Sequence, residues 1–345
     1  MDNKNTLTIL CSSLQKDGVG DYCITLQKSL AESCFAAQVE TCNDFINQKK
    51  NDTSVLSWQI VPYSYQNKGF MWPAAKKICR EVEKYPLHIM FHELWIGGIK
   101  ESPLKNKFIG FFQKYGIEKV VKETKPSLIT TSNTFYQAGL ASIGIEAELL
   151  PIFSNIPSGN KAGTALYQQL PAEVLNNRHD YVIGIFFGTM HIRPDLTHQI
   201  LVLNNLIKRL SKKILIIHIG KCNHAVGLFT DLAKQTNIPV TLFGIQDAQE
   251  IADLFQHADI GLSTYPKILF EKSGSIAAML NNNLPVILLD KGFLPDERQF
   301  DFVKEVNEIQ NLETFISQKK DFAYRFGVKH ISEKYRTLLS SKFNI

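Results

Sequence analysis

Short apolar runs rich in Val, Ile and Leu alternate with longer amphipathic stretches along most of the chain, and this alternation limits the possible folds more than any other feature. A strand that reads as an unbroken apolar run is covered on both faces. Parallel sheets achieve this by placing crossover helices above and below. Strands are predicted at 7–11, 57–61, 88–92, 128–131, 147–150, 182–186, 213–219, 240–243, 260–263 and 286–289. Helices are predicted at 21–33, 71–84, 106–125, 134–143, 196–211, 224–235, 247–256, 273–282 and 313–335. Pro, Gly, Ser and Asn cluster at 151–160, between two strand-helix series. The expected chain is therefore α/β, with two doubly wound parallel-sheet domains at 1–155 and 156–320 and a helical segment at 321–345 that packs back on the first. Ligands of open parallel sheets bind beyond the carboxyl ends of the strands. Two such domains facing across a cleft would share one site.

With 345 residues the chain can build two cores of ordinary size. Its first residues, Met1 to Thr6, lack the charged-then-apolar plan of a secretory signal, and no apolar run approaches the roughly 20 residues of a spanning helix. A cytoplasmic protein is expected. The six cysteines (Cys11, Cys23, Cys34, Cys42, Cys79, Cys222) form no C-x-x-C pair and no zinc-ligand spacing, so reduced structural thiols and no metal are expected. A net charge of +5, evenly spread, gives no reason to expect nucleic acid as a partner. One region departs from that evenness. Between residues 65 and 125, twelve basic side chains stand against six acidic ones, interleaved with Phe70, Met71, Trp72, Trp95, Phe108, Phe111, Phe112 and Tyr115. That mixture suits peripheral contact with the anionic inner face of a membrane. The helical spacing of Phe108, Phe111, Phe112 and Tyr115 is also what packing into a core would give.

The stretch 270–289 reads as a polar loop opening a helix that ends before a buried strand. A helix start aims unsatisfied N–H groups and a positive dipole end at whatever lies above it. Glu271, Lys272, Ser273 and Gly274 add a carboxylate, an ammonium, a hydroxyl and an unobstructed backbone, which suit phosphates and ribose hydroxyls. Ser273 could equally serve as a plain helix cap, with Ile276, Ala277, Met279 and Leu280 packed on a sheet. After the first strand, Gly18, Val19, Gly20 and Asp21 form a Gly-x-Gly turn into a helix, with Asp21 placed to cap it or accept a hydroxyl. The dinucleotide fingerprint is incomplete, because Cys23 occupies the position of its third glycine. His92 and Glu93 end a strand and can hydrogen-bond a polyol or phosphate, although a satisfied core histidine is the plain alternative. Residue 96 is Ile, so this is no zinc-protease motif. In the second half, Gly188, His191 and Arg193 follow one strand and Lys221 the next, bringing basic side chains to the rim where an anion would lie.

These residues together resemble the glycosyltransferases of the GT-B fold, in particular retaining family 4. Gly18-Val19-Gly20-Asp21-Tyr22 is similar to that family's N-terminal glycine loop, and His92-Glu93-Leu94-Trp95 to its histidine-bearing strand end. Val240 to Gly244, then Glu250 to Ile260, resemble its strand, helix and Ala-Asp strand start, and Glu271 to Ile287 its donor segment. The resemblance implies two Rossmann-like domains, an acceptor-binding one first and a nucleotide-sugar donor-binding one second. It implies metal-independent, retaining transfer of a hexose from a UDP- or GDP-sugar to a lipid-linked, envelope or other glycan, with no permanently bound cofactor. Catalysis would rest on His92, Glu93, Lys221 and Lys272. Gly188, Arg193, Lys221, Glu271, Lys272, Ser273 and Gly274 would hold the donor, and Gly18 to Asp21 would line the acceptor side. One departure stands out: the second glutamate of the family's Glu-X7-Glu pattern, which binds the donor ribose, is replaced by Ala277 or Ala278. A catalytically degenerate GT-B protein that binds a nucleotide sugar or a partner is the alternative. Another GT-B enzyme, such as a nucleotide-sugar epimerase, would form product without an acceptor.

Overall fold

The computed structural model describes residues 6–14, 18–33, 35–47, 53–99, 102–161, 164–190, 195–221, 225–289, 301–317 and 323–343. The chain divides into two compact units, residues 1–151 with 328–345, and residues 152–327. Arg193, His191, Asp17, Cys34 and Cys222 lie outside the described residues.

The first unit begins with β1 (Leu7–Cys11), α1 (Gly18–Glu32), β2 (Ala37–Thr41), α2 (Cys42–Asn47) and β3 (Val55–Ile60). It continues with α3 (Trp72–Val82), β4 (Leu87–Phe91), α4 (Leu104–Thr124), β5 (Leu128–Thr131), α5 (Thr134–Ala141) and β6 (Glu148–Leu149). Its six strands form one parallel sheet in the order β2-β1-β3-β4-β5-β6. Register gives the two faces different chemistry. Trp58 pairs with Ile89 and Ile89 with Ile129, an apolar row, whereas Ser57 pairs with His88 and Met90 with Thr130. Because side chains alternate along a strand, Ser57 and Gln59 share a face with His88 and Met90. That face is buried yet polar, which requires a closed hydrogen-bond network.

The second unit runs through α6 (Ala165–Gln168), α7 (Ala172–Asn176), β7 (Tyr181–Phe187), α8 (Leu196–Lys208), β8 (Lys213–Ile219), α9 (Ala225–Thr236) and β9 (Val240–Gly244). It then continues with α10 (Ala248–Phe255), β10 (Ile260–Ser263), α11 (Gly274–Asn281), β11 (Val286–Leu288), β12 (Val303–Glu305) and α12 (Leu312–Ser317). Its sheet, again six-stranded and parallel, has the order β12-β11-β10-β7-β8-β9. One face packs Ile183, Ile185, Leu215 and Ile217 against Leu254, Phe255 and Met279, and the other packs Val182, Phe186 and Ile216 against Leu203 and Phe229. Gly184 leaves room for this packing, since a Cβ there would stand 2.8 Å from a methyl carbon of Leu262 on the neighbouring strand and force that side chain to shift. The final helix, α13 (Val328–Phe343), belongs to the first unit.

Two strands escape the sequence reading, β2 and β12, and both lie at sheet edges. β2 (Ala-Gln-Val-Glu-Thr) is half-buried and mixed in polarity, the usual state of an edge strand. The single C-terminal helix predicted at 313–335 is instead α12 and α13, separated by residues that include a 3₁₀ turn at Ala323–Phe326. The Pro/Gly/Ser/Asn-rich segment after Pro151 is tied down. Asn281 donates to the Ile156 carbonyl at 3.2 Å, Asn282 donates to Pro157 at 3.0 Å, and the Gly159 N–H donates to Asn282 at 2.8 Å. Cys11, Cys23, Cys42 and Cys79 are buried, and burial pushes the Cys42 and Cys79 thiols up to about 12. They are inert as nucleophiles. Among the described residues no helix is long and apolar enough to cross a membrane, and no cluster of three or more His, Cys, Asp or Glu side chains is placed to hold a metal ion.

Candidate functional site

In the second unit the chain runs outward from β7 through β8 to β9, then returns to the other side of β7 to lay down β10, β11 and β12. The switch point is therefore between β7 and β10, and a crevice beyond the carboxyl ends of these strands is where such sheets bind ligands. Three glycines sit at or just beyond those ends on β7, β8 and β9: Gly188, Gly220 and Gly244, with φ of +81°, +120° and +67°. Positive φ is open to glycine at little strain and closed to most other residues. The three are stitched in a row, with the Gly188 N–H donating to the Ile219 carbonyl at 2.9 Å and the Gly220 N–H to the Gly244 carbonyl at 2.7 Å. A Cβ on Gly220 would stand 3.1 Å from the Gly188 Cα, so the backbones approach as closely as they can. His218, fully buried, donates from Nε2 to the Gly188 carbonyl at 3.1 Å and so fixes that peptide. Burial lowers its pKa, with a smaller opposing effect from that hydrogen bond.

The first turn of α11 abuts this row. A Cβ built on Gly188 would be 3.5 Å from the Ser275 Cβ. Ser273 is the N-cap of α11, its hydroxyl accepting from the Ile276 N–H at 3.4 Å, and it lies 3.1 Å from the Ser275 hydroxyl. The N–H groups of Gly274 and Ser275 head the helix, where no intrahelical acceptor exists. Gly274 is exposed, with open space where a side chain would be. The first turn carries no acidic residue, so its partial positive charge is not offset from within the helix. Glu271 and Lys272, both half-buried, close a 3₁₀ turn at Lys267–Lys272 that leads into the cap. That turn is anchored at its start by Lys267, whose ammonium bonds Glu308 and lies 3.2 Å from Glu305 at the end of β12. Burial alone would lower the Lys267 pKa, but the hydrogen bonds it donates to Glu308 and Glu305 outweigh that effect and raise it.

In the first unit the switch point is between β1 and β3. Helix α1 starts there at Gly18, three residues earlier than predicted, so Asp21 is in the first turn and not at the cap. Gly18 and Asp21 are exposed, Val19 is half-buried and Gly20 is buried. From α1, Tyr22 sets its ring edge-on to His92, with centroids 4.9 Å apart. His92 follows β4 and is buried, its Nε2 donating to the Gln59 carbonyl oxygen at 2.8 Å, while Glu93 beside it is half-buried. The network continues inward. The Gln59 amide donates to the Ser57 hydroxyl at 2.7 Å, which also accepts from the Tyr335 hydroxyl of α13 at 2.6 Å. With two donors already on its oxygen, Ser57 directs its own proton to His88 Nδ1 at 2.8 Å, and His88 Nε2 then donates to Thr130 at 2.8 Å. Burial, with a smaller contribution from His92, drives the His88 pKa down to about 3, consistent with a neutral ring.

The structure therefore sorts the sequence-derived candidates into two groups. Gly18, Val19, Gly20, Asp21, His92 and Glu93 belong to the first unit, while Gly188, Lys221, Glu271, Lys272, Ser273 and Gly274 belong to the second. Gly188 and the Ser273-Gly274 helix start are neighbours, and Lys221 is exposed directly after Gly220. Ala277 and Ala278 are buried within α11, at 3% and 0% exposure, so neither occupies a ligand-facing position. Asp259, part of the Ala-Asp landmark, stands at the opposite end of β10, where it holds Arg178 at 2.8 Å and accepts from the Ile183 N–H at 2.7 Å. Sequence reasoning missed Gly220 and Gly244 as site-forming positions. Their signal was a glycine at each of two successive strand ends.

No protein-family profile matches the chain, and no curated protein matches it in sequence. Solved structures do match over nearly the whole length. HepE of Anabaena in complex with UDP and glucose superposes with a TM-score of 0.55 at 15% identity, covering 98% of this chain and 100% of that one. AviGT4, a glycosyltransferase involved in avilamycin A biosynthesis, gives 0.53 at 12% identity, covering 99% and 98%. The S. aureus MnaA–UDP structure gives 0.52 at 12% identity, covering 99% and 97%. At these identities the likeness is one of fold: two six-stranded parallel sheets with interleaved helices in a GT-B-like architecture.

Proposed function

We propose that the protein is a metal-independent glycosyltransferase, retaining in stereochemistry, that transfers a hexose from a UDP- or GDP-sugar to a glycan acceptor. The observation that carries this reading is the row of left-handed glycines at Gly188, Gly220 and Gly244, set against the start of α11 at a topological switch point. Such a backbone ledge lets a diphosphate approach closely, and the helix start offers it N–H groups and a favourable dipole. Charge on the departing diphosphate is what a site of this kind stabilises most. In this reading Lys272, Lys221, Arg193 and the Ser273-Gly274 amides hold the diphosphate, and Glu271 contacts the donor's sugar or ribose. His92 and Glu93 bind sugar hydroxyls, and Gly18 to Asp21 line the acceptor side. The acceptor is a lipid-linked or envelope glycan, which places the working enzyme against a membrane surface. Complexes of HepE and MnaA with UDP, and of HepE with UDP-glucose, support the choice of a uridine nucleotide.

A thermal-shift series with UDP, GDP, ADP and CMP tests it. UDP or GDP should raise the melting temperature, since a ligand at 100 times its Kd adds about 2.7 kcal/mol of stability. Lys272→Ala should lose most of that shift, and its donor turnover should fall about 10²-fold. Indifference to all four nucleotides would overturn the proposal. The absent second glutamate of the Glu-X7-Glu pattern motivates one further reading, a degenerate GT-B protein that binds without transfer. That reading expects a nucleotide shift with no hydrolysis of any donor in a panel, and slow hydrolysis of one donor rules it out.

A further inference from the structure

Helix α4 is built the wrong way round for a helix packed on a sheet. Its inward stripe is Gly110, Gln113, Gly116, Ile117, Val120 and Thr124. Its outward stripe is Leu104, Phe108, Phe111, Phe112 and Tyr115, exposed by 83%, 67%, 65%, 43% and 45%. This orientation is locked. A Cβ on Gly110 would lie 1.9 Å from the Ile96 carbonyl oxygen, so only glycine fits there. Gln113 accepts from the Ile96 N–H at 2.8 Å and donates to Tyr63 at 3.0 Å and to the Lys68 carbonyl at 2.5 Å. Rotating the helix to hide its phenylalanines would break all of these contacts.

The exposed rings form one patch. Phe112 meets Phe108, Phe111 and Phe70 edge-on, with centroids 5.1, 5.5 and 5.8 Å apart. From Leu104 to Tyr115 the stripe runs about 17 Å at 1.5 Å per residue. Helical periodicity puts Lys107 and Lys114 on one flank of it and Lys105 on the other, with Lys119 in line with the stripe one turn beyond Tyr115. Lys114 lies 5.8 Å from the Trp95 ring and Lys119 5.5 Å from Tyr115, so the lysine stems lie along the aromatics. The helix carries five lysines against two glutamates, Glu118 and Glu123, both towards its C-terminal end.

We propose that this face of α4 docks on the headgroup region of an anionic lipid bilayer, with the helix in the membrane plane, its phenylalanines inserted and its lysines among the phosphates. Lysine is depleted at the centre of protein–protein contacts, whereas aromatic rings between basic flanks are the pattern of an interfacial helix. Anionic lipid supplies the complementary charge. The inference is independent of sugar transfer, because it is read without any nucleotide.

Flotation of the full chain with vesicles of phosphatidylcholine alone, or mixed with phosphatidylglycerol, tests it. Binding should require phosphatidylglycerol and weaken in high salt. F108S/F111S should retain the wild-type melting temperature and bind on the order of tenfold more weakly. K105E/K107E, a second variant on exposed positions, should lose the preference for anionic vesicles. Wild-type-like binding by both variants, or no binding by the wild type, overturns the proposal. So does a wild-type dimer in sedimentation that F108S/F111S converts to monomer, which would make the stripe a self-association face.

Discussion

His88 shows how one side chain can set the response of a unit to acid. Its ring is fully buried between Ser57 and Thr130, with the Tyr335 hydroxyl 3.2 Å from Nδ1 and His92 on the same face. In the unfolded chain it takes up a proton near its ordinary pKa of 6.5, but in the fold it does so only near 3. Between those values the unfolded state binds more protons, so stability is fully present above about pH 6.5 and is lost as the pH falls towards 3. The expected slope from this residue is about 1.4 kcal/mol per pH unit across the window. Urea denaturation at intervals between these pH values checks it. His88→Gln, which keeps a donor and an acceptor but does not titrate, should flatten the slope while lowering stability overall.

Among the elements, α4 and α11 are opposite lessons in how far a sequence can be read. The α11 start was legible because a cap acts locally: Ser273, followed by a helix-forming run, needs nothing distant to specify it. Which way α4 faces was not, because Phe108, Phe111, Phe112 and Tyr115 have the same spacing whether they point in or out. The deciding contacts are non-local: a Cβ on Gly110 would run into the chain at Ile96, and one on Gly116 would stand 3.3 Å from the Met71 side chain. Gly110→Ala should accordingly destabilise the protein by about 3 kcal/mol, at the upper end of overpacking effects, because backbone must move. Chemical denaturation measures this, and a change below 0.5 kcal/mol, the ordinary range of surface substitutions, would contradict the packing described. The strap after Pro151 is a similar case. Its composition reads as a linker, and contacts far away in sequence, the Asn281 and Asn282 side chains and the Phe326 carbonyl among them, make it fixed structure.

At the scale of the whole molecule, the α/β class and the parallel sheets followed from the apolar runs, because a buried parallel strand records its environment in every residue. The edge strands β2 and β12 did not, since half their surface records solvent. The path of the chain matters more for behaviour than its sheet order. Residues 152–327 form a contiguous unit, whereas the other is interrupted and completed by α13. That helix buries Ile331, Tyr335 and Leu339 and joins Ser332 to Ser29 at 2.7 Å. A chain ending at Gly327 should lose the stabilisation of three large buried side chains, each about 1.5–3 kcal/mol. Calorimetry should show the transition of the first unit lowered or absent and that of residues 152–327 retained.

The discontinuity also bears on how the polypeptide matures at the ribosome. Synthesis usually lets the leading segment settle first. Here the leading segment has its Ser57–His88 network open until residues 328–343 have been translated, so the middle of the chain can reach its final form before the beginning does.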